Sequence, residues 1–338
     1  MKPKVLLLAK LPAALAERLH LHFDCHDYAQ LASAELQALA PLMRGILATG
    51  ESVVNREMIA RLPALEIVSV LGVGYDGIDI EAARERKICV THTPGVSTDD
   101  VADFAMALLL SAARQVVSAD SFVRRGDWAA GRYPMTRRVS GSRLGIVGLG
   151  RIGRAVALRA QAFGMSIAYT GRTQGSDLVY RWCPDARSLA ASVDFLVVCA
   201  SGGEGTRALI DGEVLNALGP SGILINIARG AIVDEEALVE ALRERRILAA
   251  GLDVFCHEPD VPAALLALDN VVLSPHMAST TGATVLGMLE LAIANLRACF
   301  EGTPLPAPIE GISPAAPTEP YAPPALETAQ RASHRADL

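Results

Sequence analysis

The sequence predicts an α/β protein made of two doubly wound parallel-sheet domains. Three observations predict it. Short apolar runs alternate with amphipathic stretches along most of the chain, as parallel strands covered by helices require. The alternation occurs twice, more strongly the second time, and a glycine motif, Gly148-Leu-Gly-Arg-Ile-Gly153, stands where an apolar run gives way to a helical pattern. With 338 residues, 51% apolar and 20% charged, the chain can bury two cores.

In the first series, strands are expected over residues 4–9, 45–48, 66–71 and 88–91, with helices near 12–23, 55–61 and 79–86. The second series places strands over 143–147, 166–169, 194–200, 222–227, 249–254 and 271–274. Between the two lies a long helix pattern, 98–125, with Thr98 or Asp99 as N-cap and Gly126 at its end. A second long helix, 280–300, follows the last strand and lets the chain return to the first series, which makes that domain discontinuous. The expected organisation is one domain of residues 1–99 with 289–312, a second of 100–288, and a Pro/Ala-rich tail, 313–338, expected to lack regular structure.

A net charge of −6 argues against nucleic acid or an anionic membrane as partner. No charged n-region followed by an unbroken apolar stretch opens the chain, and the apolar helix pattern over 101–113 carries Asp103, so a soluble cytoplasmic protein is expected. Six cysteines (Cys25, Cys89, Cys183, Cys199, Cys256 and Cys299) are scattered without a C-x-x-C pair, which fits reduced core thiols. His20, His22 and His26 cluster near a helix end and read as surface residues, since no further cysteine or carboxylate set completes a metal site; no metal is expected.

The glycine motif follows the strand pattern Leu144-Gly-Ile-Val-Gly148 and opens a helix over 151–163. In that context Gly148 allows a tight turn, Gly150 lets the backbone approach a pyrophosphate, and Gly153 lets the helix pack closely on the strand. An NAD site calls for an acidic residue at the end of the next strand, to accept hydrogen bonds from the ribose hydroxyls. Here that end reads Ala168-Tyr-Thr-Gly171-Arg172-Thr173, with no acid before Asp177. Arg172 and Thr173 suit a 2'-phosphate, which points to NADPH, with NADH the weaker alternative; otherwise Arg172 is a solvated arginine and either cofactor serves.

Three further residues end apolar runs: Arg229, Glu258 and His276. A guanidinium at a sheet's carboxyl edge can clamp a carboxylate with paired hydrogen bonds, or simply form a structural ion pair. Glu258 beside His276 would keep an imidazolium ready to protonate a carbonyl oxygen, with His257 an alternative imidazole and His92 ranked behind His276. Leu71-Gly-Val73-Gly74-Tyr-Asp-Gly77 is either an amide cradle for a substrate carboxylate or a plain glycine turn.

These segments together resemble the D-isomer-specific 2-hydroxyacid dehydrogenase family, from about Lys4 to Pro308. The resemblance is carried by Val73-Gly-Tyr-Asp-Gly-Ile-Asp79, Thr93-Pro-Gly95, Val101-Ala-Asp103, the 148–153 motif, Ile225-Asn-Ile-Ala-Arg-Gly230, Gly251-Leu-Asp-Val-Phe255, Glu258-Pro259 and Ser274-Pro-His276. Within the family the chain is most similar to NADPH-preferring glyoxylate/hydroxypyruvate and hydroxyphenylpyruvate reductases, through residues 98–103 and 171–173.

The resemblance implies a Rossmann-like cofactor domain and a flavodoxin-like substrate domain with an interdomain cleft. It implies Arg229 as carboxylate binder, His276 as acid/base and Glu258 as its orienting partner, with backbone substrate contacts from Val73 and Gly74. Cofactor contacts are expected at Leu149, Gly150, Arg151, Ile152, Gly171, Arg172, Thr173, Ile227, Ala228 and Asp253, the last to the nicotinamide carboxamide. A homodimer is implied too, with residues 128–133 at its interface. Two segments depart from the pattern: Ser201-Gly-Gly-Glu-Gly205 where relatives carry proline and threonine, and Gly171 where a serine is often found.

The sequence therefore reads as an NADPH-dependent reductase of a small 2-keto acid, glyoxylate or hydroxypyruvate, giving the D-2-hydroxy acid. The rivals are a hydroxyphenylpyruvate- or lactate-type member of the family and, from another class, a dinucleotide-sensing co-repressor-like binding protein.

Overall fold

The computed structural model describes residues 2–175, 179–309 and 311, which divide into two compact units. The first comprises Met1–Leu71, Ile78–Val96 and the chain from Leu289; the second comprises Gly72–Gly77 and Ser97–Met288. The expected tail, 313–338, lies outside the described residues.

The first unit runs β1 (Lys4–Leu7), α1 (Ala13–His22), β2 (Asp24–Asp27), α2 (Ser33–Leu39), β3 (Met43–Thr49), α3 (Arg56–Arg61), β4 (Ile67–Leu71), α4 (Ile80–Glu85) and β5 (Cys89–Thr91). All neighbours pair in parallel, in the order β2-β1-β3-β4-β5, which is the flavodoxin-like arrangement. Strand β2 and helix α2 are absent from the sequence expectations, and β2 has a physical reason. Its sequence, Asp-Cys-His-Asp, has no apolar run, because it is an edge strand held by charge. Lys4 pairs with Asp24, and His26 Nε2 lies 3.3 Å from Asp24 Oδ1. His26 is thus a half-buried strand residue rather than a surface one, whereas His20 and His22 are exposed at the end of α1.

The second unit runs α5 (Thr98–Arg114), α6 (Val116–Arg124), β6 (Arg143–Val147), α7 (Arg151–Ala162), β7 (Ser166–Thr170), β8 (Arg181–Trp182), α8 (Ala186–Ala190), β9 (Phe195–Val198), α9 (Gly212–Leu218), β10 (Ile223–Asn226), α10 (Glu235–Arg243), β11 (Ala249–Leu252), α11 (Ala263–Leu266) and β12 (Val271–Leu273). Helix α12 (Gly282–Glu301) then leads back into the first unit. The seven parallel strands are ordered β8-β7-β6-β9-β10-β11-β12, the doubly wound dinucleotide-binding order with one further strand.

Alternate residues of the central strands face opposite layers, as the two-residue period of a strand demands. Phe195 and Val197 pack with Leu108, Leu109 and Ala112 of α5 on one face. Leu196 and Val198 pack with Leu215 of α9 and Leu238 and Leu242 of α10 on the other.

The long helix expected over 98–125 is two helices bent by 57°. The break falls at Gln115, held in the left-handed region at φ 51, where the Tyr133 hydroxyl lies within hydrogen-bonding distance of Gln115 Oε1 and Ser118 Oγ. Ser97, rather than Thr98 or Asp99, occupies the N-cap, with no side-chain capping bond. Helix α12 is long and apolar enough to cross a bilayer by composition, but half of it is buried, with Leu289, Ala292 and Leu296 packed on β1, β3 and β4 residues.

Candidate active site

The three glycines after β6 are required for three different reasons. Gly148 has φ 91, and a Cβ there would fall 2.7 Å from the Ala200 backbone; a Cβ at Gly153 would fall 2.3 Å from the Gly148 carbonyl oxygen, so strand and helix could not approach. A Cβ at Gly150 would meet nothing within 4 Å. Gly150 is the N-cap of α7 and supplies no side-chain acceptor, so the first-turn amides are available to an anion over an unobstructed backbone. The residues present fit a dinucleotide pyrophosphate. Arg151 is exposed, and Leu149 and Ile152 are half-buried beside the turn.

After β7, Gly171, Arg172 and Thr173 are exposed. The buried Tyr169 accepts the Gly175 N–H on its hydroxyl at 3.0 Å, which folds this loop back on its strand. Asp177 lies outside the described residues.

Asn226, 1% exposed at the end of β10, closes the next turn: its Oδ1 accepts the Ala228 N–H at 3.1 Å and its Nδ2 donates to the Arg229 carbonyl at 2.9 Å. Ile227 and Ala228 are buried in that turn. Arg229 donates from Nε to Asp76 Oδ2 and from Nη1 to the Ala228 carbonyl, both at 2.7 Å. Gly74 lies against Nη2, so Val73-Gly74 and Arg229 meet within the second unit. Gly230 has no room for a side chain because a Cβ would sit 2.0 Å from the Phe255 carbonyl carbon. The loops after β10 and β11 are therefore pressed together.

Glu258 is held at both oxygens: Oε1 accepts the Phe255 N–H at 2.8 Å, and Oε2 lies 2.7 Å from His276 Nδ1. The partner of Glu258 is thus His276; the alternative, His257, is exposed. His276 has φ 49, a strained conformation of the kind that functional sites retain, and its amide donates to the Asp253 and Ser274 carbonyls at 2.8 and 3.1 Å. Asp253, 1% exposed, accepts from Ser274 Oγ (2.7 Å) and the Met277 amide (2.9 Å) on Oδ1, and from the Ala278 amide (2.9 Å) on Oδ2.

Asp253 therefore holds the loop that presents His276, a role sequence reasoning missed; a carboxylate with four acceptor positions can still take a further hydrogen bond. Asn226 and Asp76 were missed as well. The signal for Asn226 was available: a polar residue inside an otherwise apolar strand end must find partners when buried. Cys199 and Cys25 are poor nucleophiles, since burial pushes the Cys199 thiol up to about 12 and Cys25 up to about 11.

A dinucleotide turn and a carboxylate-held imidazole on loops leaving one edge of a parallel sheet define an oxidoreductase. Residues 106–278 match the model of the D-isomer specific 2-hydroxyacid dehydrogenase, NAD binding domain. The chain is 42% identical over 308 residues to the 2-ketogluconate reductase of Gluconobacter oxydans, covering 91% of this chain and 99% of that protein. It is 43% identical over 307 residues to the hydroxyphenylpyruvate reductase of Plectranthus scutellarioides, covering 90% and 98%. Among solved structures, the NADPH-dependent glyoxylate/hydroxypyruvate reductase of Sinorhizobium meliloti, in complex with NADP and malonate, matches with a TM-score of 0.85 and 39% identity over 92% of this chain and 97% of that one. The chain belongs to the D-isomer specific 2-hydroxyacid dehydrogenase family and is a 2-keto acid reductase.

Proposed function

We propose that the protein reduces glyoxylate or hydroxypyruvate to the D-2-hydroxy acid with NADPH, and that the His276–Glu258 pair and Arg229 carry the reaction. The observation behind this reading is the 2.7 Å contact between His276 Nδ1 and a Glu258 carboxylate fixed by the Phe255 amide. The bound nicotinamide supplies a hydride to the keto carbon. Arg229 binds the substrate carboxylate beside the Val73-Gly74 backbone and so fixes the face presented. With Nδ1 committed to Glu258, proton delivery to the carbonyl oxygen falls to His276 Nε2, and the anionic partner favours the imidazolium needed for it. A dinucleotide sensor would have no use for this proton-donating pair.

NADPH is favoured because the loop after β7 offers the exposed Arg172 and Thr173 with no acid before Asp177. The Sinorhizobium meliloti relative, named NADPH-dependent, agrees. In this reading the second unit is the dinucleotide-binding domain and the first is the substrate domain, with action in the cytoplasm.

A homodimer is proposed through α6 and the segment after it. No residue of α6 is buried, and Val116, Val117, Val123, Trp128 and Met135 are exposed apolar side chains along this stretch. The test is NADPH oxidation followed with glyoxylate, hydroxypyruvate, hydroxyphenylpyruvate, pyruvate and 2-ketogluconate. Highest kcat/KM with either of the first two supports the assignment, whereas a preference for a larger acid moves it to another branch of the family.

A further inference from the structure

Asp76 has no part in the reaction as proposed, yet its carboxylate rests on the group that binds the substrate. Its Oδ2 takes the Arg229 Nε–H while Nη1 is tied to the Ala228 carbonyl, each at 2.7 Å. A guanidinium is rigid and planar, so bonds on two of its nitrogens fix the direction of every remaining N–H. Both side chains are only 29% exposed.

Two glycines from different loops close on this pair. A Cβ at Gly74 would fall 1.6 Å from Arg229 Nη2 and 3.2 Å from Asp76 Oδ2. A Cβ at Gly202 would fall 3.0 Å from each of Arg229 Cγ, Asp76 Cγ and Asp76 Oδ1. Gly202 belongs to the 201–205 segment that departs from the family pattern.

We infer that Asp76 is a positioning residue for substrate recognition: it aims Arg229, and Gly74 and Gly202 are glycines because a side chain at either would displace the ion pair. The inference rests on the reading of Arg229 as carboxylate binder. An arginine held in place before the substrate arrives need not be ordered on binding, so the gain appears as affinity for the keto acid. A merely structural ion pair would affect folding and leave the KM unchanged.

The experiment measures KM and kcat for glyoxylate, the Kd of NADPH by nicotinamide fluorescence, and the thermal midpoint, in the full chain. Asp76→Ala is expected to raise KM about tenfold to a hundredfold, the worth of a charge-assisted hydrogen bond, with a smaller fall in kcat and NADPH binding unchanged. Asp76→Asn should recover much of this, because its amide oxygen accepts the same Nε–H. Gly202→Ala should raise KM by a smaller factor, and the double variant Asp76→Ala/Gly202→Ala should be no worse than Asp76→Ala, because both act on one pair.

A KM within about twofold of wild type for Asp76→Ala, or full additivity in the double variant, overturns the inference. If Asp76→Ala shows no cooperative melt, Gly202→Ala is judged by the same KM criterion instead. A wild type inert towards every keto acid overturns the reading of Arg229 itself, and the inference falls with it. An active wild type with an unaffected variant overturns the inference alone.

Discussion

The turn after β6 and the loops after β10, β11 and β12 leave the same edge of the same parallel sheet, but they are built from different material. The first is made of backbone: Gly148 and Gly153 are shaped by what a Cβ would strike, and Gly150 by open space above it. The second is made of side chains, each held by another. Arg229 is gripped by Asp76, its turn by Asn226, Glu258 by the Phe255 amide, and the loop of His276 by Asp253. A site made of backbone accepts any ligand of the right charge and shape, whereas a site made of supported side chains can carry a proton at a chosen atom. The first predicts binding without chemistry, and the second predicts chemistry that fails one support at a time.

The most forceful test of this contrast is His276→Asn. It should leave NADPH affinity near wild type, because the glycine turn is untouched, while turnover of glyoxylate falls by about 10² to 10⁴, the usual worth of a positioned general acid. Single-turnover rates alongside NADPH fluorescence titration would check it. Turnover close to wild type would mean that some other group delivers the proton.

The same contrast explains what the sequence made legible. Both sheets were readable because parallel strands buried on both faces are continuous apolar runs, and 143–147 was read to the residue. The glycine turn was readable because its constraints are local. Strand β2 was not, since an edge strand held by Lys4 and Asp24 has no hydrophobic pattern, nor was β8, only two residues long. The break at Gln115 is met by Tyr133, eighteen residues further on, and no local propensity announces that contact. Arg229, Glu258 and His276 stood out at strand ends. Their supports, Asp76, Asn226 and the loop-holding role of Asp253, depend on which loops meet in space, and sequence spacing does not carry that.

Arg172→Asp sharpens the backbone side of the comparison, since it changes the charged side chain among the two, Arg172 and Thr173, assigned to choosing between cofactors. A carboxylate repels a 2'-phosphate and accepts from ribose hydroxyls, so kcat/KM with NADPH should fall about tenfold to a hundredfold while that with NADH improves. The ratio of the two in wild type and variant is the measurement. A wild type that prefers NADH would sink the assignment.

Gly150→Ala and Gly153→Ala separate two meanings of a glycine. At Gly153 the added methyl meets the Gly148 carbonyl, and the thermal midpoint should drop by the equivalent of about 1–3 kcal/mol of overpacking. At Gly150, φ is −79 and the space is open, so stability should hold or rise slightly while NADPH binding weakens. Equal destabilisation by both would show that Gly150 has a structural duty as well.

Glu258→Gln has the smallest expected effect at acidic pH, and its sign is the informative part. The glutamine is nearly isosteric and its one amide oxygen can still accept one of the two hydrogen bonds, but it removes the negative charge that favours the imidazolium of His276. Reduction needs the protonated ring, so activity is retained at acidic pH and lost as the ring deprotonates at higher pH. Without the carboxylate the charged ring is less favoured, and the descending limb of kcat/KM for glyoxylate reduction should move to lower pH. Wild type and variant should then nearly coincide on the acid side and diverge as pH rises. A limb that stays in place would separate Glu258 from the proton donor, and the 2.7 Å contact would be a structural tie between two loops rather than part of the proton-delivering device.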